Sequence, residues 1–288
     1  MERNDLRLIR QRTVRQEVSY TGPAIHTGTV STVTLRPAQG DTGILFRRID
    51  LPGQPTVQAI AENVSRADRC TTLQQGEAVI STVEHLMAAL RGIGIDDVEI
   101  DVDGPEIPIG DGSAACFVKM IQEAGIVELD APRQIVKVER PVWVRVGDKV
   151  AVALPYDGFK VSFTFTNDHN HPVLGDLFAE FDIDSETFCE EIANARTIGW
   201  LSELEALRAR GLARGATAEM AVVLSENELL TPLRYPNEPA RHKILDIIGD
   251  LYLSGYLEAH IIAIRTGHKI NNQLARAIRA QHKALERV

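Results

Sequence analysis

Residues 241–255, RHKILDIIGDLYLSG, constrain the fold of this chain more than any other stretch. At about 100° per residue, His242, Asp246 and Asp250 fall within one narrow stripe of a helix. Ile244, Ile247, Ile248, Leu251 and Tyr252 cover the opposite side. The ordinary outcome of such a pattern is an amphipathic helix that shows its polar stripe to water. The other outcome is a stripe that faces a metal. A His and a carboxylate four residues apart both reach one ion, as the two His of an H-E-x-x-H helix do.

The rest of the chain sets bounds on both readings. Its 288 residues suffice for one large domain or two of ordinary size, and 44% hydrophobic with 25% charged residues is the composition of a globular protein with a real core. A net charge of −9 argues against nonspecific nucleic-acid binding, because no global cation excess exists to release counterions. An anionic small substrate is still compatible, since a few local Lys or Arg can hold it. No apolar run approaches the roughly 18 residues needed to span a bilayer, and the N-terminal MERNDLRLIRQRT lacks the apolar centre of a signal peptide. Cys70, Cys116 and Cys189 are far apart and form no C-x-x-C. That spacing predicts a reducing compartment, the cytoplasm, and argues against a cysteine zinc cluster.

Along the chain, STVTLRPA places Val33 and Leu35 on one strand face, and GILFRRID continues with Ile44 and Phe46. Residues 81–91 carry Val83, Leu86, Met87 and Leu90 at helical spacing, with Gly92 as a stop; DDVEIDVDG alternates as a strand at Val98, Ile100 and Val102. The turn GPEIPIGDGS leads to a helix over 114–124 that Gly125 ends. ELDAPRQ (128–134) loses apolar periodicity and contains Pro132, which marks it as a linker. Beyond it, RQIVKVE, VWVRV, VAVAL and FKVSFTF are four strand signals, and NDHNHPVLGD reads as an irregular loop. Helices are expected near 185–194, 201–210, 239–254 and 269–285, with strands at AVVL and HIIAI. The sum is an α+β chain of two domains, each a sheet covered by helices, rather than a βαβ alternation.

Two further stretches carry chemistry. STVEHLMAAL sets Glu84 beside His85, although Ser81-x-x-Glu84 is also a capping box in which Glu84 only bonds the backbone. RTGHKINN puts His268 behind Gly267 at a strand-to-helix junction, with Lys243, Arg265 and Lys269 near enough in sequence to contact phosphate. His26 is either a turn or a pocket residue, and His169, His171, His260 and His282 have no usable metal spacing. Two His and one Asp with an open fourth position make a catalytic zinc site. His85, His242 and Asp246 are the candidate ligands. Glu84 and His268 are then the candidate acid–base pair, with Asp250 orienting His268.

TVEHLMAAL, GPEIPIGDGSA, ARTIGW, LRYPNEPARHKILDIIGDLYLSG and GHKINNQL occur here in one order, and through them nearly the whole chain resembles the zinc-dependent UDP-3-O-acyl-N-acetylglucosamine deacetylases of lipid A synthesis. The resemblance implies His85, His242 and Asp246 as zinc ligands and Glu84 as general base. It also implies that His268 stabilises the oxyanion or protonates the amine beside Asp250, with Thr197 helping to hold the oxyanion. Lys243 matches a substrate-contacting lysine, Arg265 stands where a basic residue lies near the diphosphate, and Ile198 stands where an aromatic is common. The implied architecture is a two-layer β/α sandwich in each domain, 1–129 and 130–288, with the site between them. An insert of about 188–222 in the second domain forms a passage for the acyl chain.

Departures from the pattern touch substrate fit rather than the zinc chemistry: GPAIHTG, GLARGATAEM and the long NDHNHP stretch differ, and an aromatic that stacks on uracil has no counterpart. The expected protein is a cytoplasmic zinc amidase, with Fe(II) able to fit the same ligands. It acts on a small UDP-linked acylated glucosamine and has no nucleic-acid partner and no stable membrane insertion. Its rivals are a zinc amidase on another acylated sugar nucleotide, and a catalytically silent binder of the nucleotide or acyl chain.

Overall fold

Residues 9–167 and 170–285 are described by a computed structural model. The first half opens with β1 (Arg10–Val14), β2 (Val18–Pro23), β3 (Val30–Pro37), β4 (Ile44–Arg48) and β5 (Thr56–Gln58). Next come β6 (Val64–Arg66), β7 (Thr72–Gln75), β8 (Ala78–Ser81), α1 (Glu84–Ile93), β9 (Val98–Val102), α2 (Ala115–Ala124) and β10 (Ile126–Pro132). The second half runs through β11 (Ile135–Lys137), β12 (Val142–Val146), β13 (Lys149–Leu154), β14 (Phe159–Phe165) and β15 (Leu177–Asp182). A single turn, α3 (Ser185–Thr187), then continues into a π-helical turn. The chain ends with β16 (Ile198–Trp200), α4 (Leu204–Ala209), β17 (Val222–Leu224), α5 (Glu238–Tyr252), β18 (Tyr256–Ile264) and α6 (His268–Leu285).

The α+β class is as expected, and the two main sheets share a topology that no sequence signal announced. The first has strand order β2-β3-β9-β4-β5, the second β12-β13-β18-β14-β15. In each, four strands come early and a last strand inserts between the second and third. It pairs antiparallel with one and parallel with the other. In each, one long helix precedes the inserted strand and another follows it. The apolar alternation explains the strand faces: Val33, Leu35, Ile44, Phe46, Val98, Ile100 and Val102 are all buried. α5 packs against β14 and α6 against β12 and β13, while α1 lies against α5 and α2. All ten residues of α1 are buried, as befits a helix enclosed on every side.

Several expectations need correction. Gly92 lies inside α1 and does not end it; a Cβ there would meet the Phe188 ring at 2.2 Å, so this glycine serves close packing. The helix ends instead at Gly94, whose left-handed backbone donates its N–H to Leu90 O. Most of the expected linker is β10, which pairs antiparallel with β1. β10 itself is partly or fully exposed along its length, so it has no apolar face for periodicity to reveal, and Pro132 is tolerated at its last position. The helices expected at 185–194 and 201–210 are short and tightly or loosely wound. His169, in the expected loop, lies outside the described residues. Among the described residues, no helix is long and apolar enough to cross a membrane.

Candidate active site

The polar stripe of α5 does not face water. His242 and Asp246 are 1% exposed and Asp250 is fully buried. The cause is Gly249, where a Cβ would stand 2.0 Å from the Glu84 carbonyl oxygen. Only a glycine lets the first turn of α1 rest directly on α5, and that turn carries Glu84 and His85 onto the stripe.

His85, His242 and Asp246 each offer a ligand atom, and these atoms lie within 4.8 Å of one another. Asp246 Oδ1 is 3.4 Å from His242 Nε2 and 3.7 Å from His85 Nε2. His242 Nδ1 donates to Ala195 O at 3.0 Å, which leaves the Nε2 lone pair facing Asp246. That carbonyl is steadied by the neighbouring Arg196, whose N–H and guanidinium both donate to the buried Glu238 carboxylate on α5. Burial, together with His85 and Lys243, pushes the His242 pKa down to about 3, so the ring is neutral. Burial raises the cost of charge on Asp246, yet Lys243, His242 and His268 outweigh it and hold this carboxyl well below the usual range. Asp246 Oδ2 accepts from Lys243 Nζ at 2.8 Å, whereas Oδ1 is buried with no hydrogen-bond partner among the described residues. A buried acceptor left unpaired is costly. Two imidazoles and a carboxylate oxygen around one point are a donor set that fits a divalent cation such as zinc.

Glu84 is not a cap. The residue before α1 is Val83, no side chain caps this helix, and Ser81 belongs to β8, its hydroxyl paired with that of Thr72. The Glu84 carboxylate turns inward instead, with Oε2 accepting the Thr71 N–H at 3.0 Å. Its Oε1 faces His268 Nε2 at 3.8 Å. His268 is the first residue of α6, and its Nδ1 lies 2.9 Å from Asp250 Oδ2. Burial opposes a charge on His268, but Asp250, Asp246 and Glu84 outweigh it and push its pKa up to about 10. Burial likewise pushes Glu84 above the usual carboxylate range, with His268 and His85 working against it. A buried carboxylate and a protonated imidazole thus flank the donor set, as general acid–base chemistry requires.

These groups open on a cavity of about 620 Å³. Glu84, His85, His242, Lys243, Asp246, His268, Thr197 and Ile198 all line it. Thr197 is held at both ends, its N–H donating to Gly112 O and its carbonyl accepting from Val222 N–H. One wall is apolar, with Ile25 and, from residues 188–222, Ile198, Trp200, Leu204 and Leu207. Another is polar, with His26, Arg69, Lys149 and Lys269. Arg265 is not part of the lining; it pairs with Asp148 at 3.0 Å from a left-handed backbone. Of the other histidines, His171 accepts the N–H groups of Val173 and Leu174 and His260 pairs with Ser162. Lys149, Arg69, Thr71, Asn271 and Asn272 escaped the sequence reading, since each acquires its place only through contacts distant in sequence.

Residues 11–280 match the family described as UDP-3-O-acyl N-acetylglycosamine deacetylase. The UDP-3-O-acyl-N-acetylglucosamine deacetylase of Thioalkalivibrio sulfidiphilus (strain HL-EbGR7) is 44% identical over 284 residues, covering 97% of this chain and 93% of that protein. The enzyme of the same name from Aliivibrio fischeri (strain ATCC 700601 / ES114) is 44% identical over 285 residues, with the same coverage. Every residue lining the cavity falls inside the matched span. This chain belongs to the UDP-3-O-acyl N-acetylglycosamine deacetylase family.

Proposed function

We propose that this protein hydrolyses the N-acetyl group of UDP-3-O-(3-hydroxyacyl)-N-acetylglucosamine to the free amine and acetate, the committed step of lipid A biosynthesis, as a cytoplasmic zinc metalloamidase. The observation that carries this reading is the buried His85, His242 and Asp246 set, with its unpartnered carboxylate oxygen, flanked by Glu84 and His268 at one cavity. We assign residues 1–129 to a first domain and 130–288 to a second, each contributing groups to that site.

His85, His242 and Asp246 hold the ion. When bound, zinc supplies Lewis-acid chemistry that polarises a carbonyl and acidifies a water; Fe(II) fits the same ligands. Glu84 takes the proton of the attacking water through the oxygen that Thr71 leaves free. Protonated His268, oriented by Asp250, and Thr197 stabilise negative charge as it develops on the acetamide oxygen. A proton from Glu84 or His268 then accompanies the departing amine. Lys243, on the cavity wall and bonded to Asp246, contacts the substrate, and Arg265 serves the diphosphate from its margin. The acyl chain takes the apolar wall around Ile198, where each buried methylene contributes roughly 0.8 kcal/mol.

The test compares amine release from UDP-N-acetylglucosamine with and without the 3-O-acyl group, under identical zinc loading. Acylated substrate is expected to turn over and the bare sugar nucleotide to be very poor. Equal turnover of both removes the lipid A assignment and leaves a general zinc amidase.

A further inference from the structure

Thr71 precedes β7 and is fully buried, and all of its polar groups are engaged. Its N–H donates to Glu84 Oε2 at 3.0 Å, and its carbonyl accepts the Val83 N–H at 3.3 Å. Its hydroxyl donates to Asp250 Oδ1 at 2.5 Å and accepts from Asn272 Nδ2 at 2.9 Å. One residue therefore touches the carboxylate of Glu84 in the first half and the carboxylate behind His268 in the second. Asp250 in turn receives His268 Nδ1, Asn271 Nδ2 and the Thr71 hydroxyl, with Asn272 Nδ2 at 3.3 Å. Thr71 itself belongs neither to the donor set nor to the cavity lining.

Resting on the deacetylase reading above, we infer that Thr71 is a positioning residue that fixes Glu84 and the His268–Asp250 pair in one mutual geometry, its backbone holding the first and its hydroxyl the second. A carboxylate that orients an imidazole does so only as well as it is itself held. Asp250 Oδ2 accepts from His268, so rotation of the carboxylate about its own axis is what must be prevented, and the Thr71 hydroxyl on Oδ1 prevents it. Asn272 supports that hydroxyl from the second turn of α6, the helix that His268 begins.

Thr71→Val separates this role from simple packing. It keeps the shape and the backbone N–H to Glu84 and removes only the hydroxyl. The expected result is a kcat lower by about tenfold to a hundredfold, with KM and bound zinc unchanged. Thr71→Ser should restore most of the rate. A second readout needs no metal and no turnover. The downfield proton resonance of the His268 Nδ1–H bonded to Asp250, assigned by its loss in Asp250→Ala, should shift or broaden in Thr71→Val and return in Thr71→Ser. In a double-mutant cycle, Asp250→Asn and Thr71→Val should be far from additive in kcat. A Thr71→Val enzyme with native kcat and an unmoved resonance overturns the inference, as does a lowered melting temperature with both unchanged. Wild-type protein without deacetylase activity refutes the functional reading instead, and the resonance then still decides the placement of Asp250.

Discussion

Glu84 carries two oxygens with different duties, one committed to the Thr71 N–H and one facing His268 at 3.8 Å. Because the side chain caps nothing, replacing it separates catalysis from stability. Glu84→Gln should keep near-native melting behaviour and metal content while kcat falls by about 10² or more. A Gln variant with most of the activity would return Glu84 to a structural role. The pH profile of kcat/KM follows from the two displaced pKa values. Glu84 sits above the usual carboxylate range, so activity is lost on the acid side as it takes a proton. His268 is held up to about 10, so it stays protonated through neutrality and activity is lost only on the alkaline side. The expected curve is a bell, and His268→Ala should lose rate and alter the alkaline limb without losing metal. A metal-depleted His268→Ala protein would make His268 a ligand instead.

Among the elements, the contact between α1 and α5 governs the site, and Gly249 governs the contact. Gly249→Ala should cost about 1–3 kcal/mol in denaturant unfolding, as overpacking does, and should also weaken metal binding, because His85 moves with α1. Gly175→Ala, where an added Cβ meets nothing within 4 Å, is the control and should change stability by about 0.5 kcal/mol or less. Much of this was legible beforehand where a pattern is local. The spacing of His242, Asp246 and Asp250 put all three on one face, and α1, α2, α5, α6, β3, β4, β9, β13, β14 and β18 fell close to their expected places. Legibility failed where position depends on distant partners. β5, β6, β7 and β8 are three or four residues each, too short to establish a period. β10 looked like a linker because a strand exposed along its length has no apolar side. Ser81 and Glu84 had the spacing of a capping box, but Thr71, thirteen residues before Glu84, claimed the carboxylate.

Across the whole molecule, the donor set joins a ligand from α1 to two from α5, so metal binding should be linked to folding. Chelation should lower the melting temperature of the wild type, zinc should restore it, and in His85→Ala the difference between the two states should largely vanish. Stability should also depend on pH at a point remote from the site. Asp97 is 1% exposed, with Oδ1 accepting the Gly43 N–H and Oδ2 buried without a partner among the described residues. Burial, with Asp96 and Asp41 nearby, pushes its carboxyl from 3.8 up to about 6. The fold therefore prefers the protonated form. That preference stabilises fully below the unfolded value and is lost as pH rises through about 6. Asp97→Asn should melt a few degrees above wild type at pH 7 and show no such gain at pH 4, as a pair of thermal scans would reveal. The shared strand order of the two main sheets has a consequence of a different kind. Each half turns the helix before its inserted strand toward the other, α1 against α5. Were two such halves identical, every side chain at that contact would appear twice. Here they differ: one supplies His85 and Glu84, the other His242, Asp246 and most of the apolar wall. A single asymmetric substrate needs that kind of asymmetric seam.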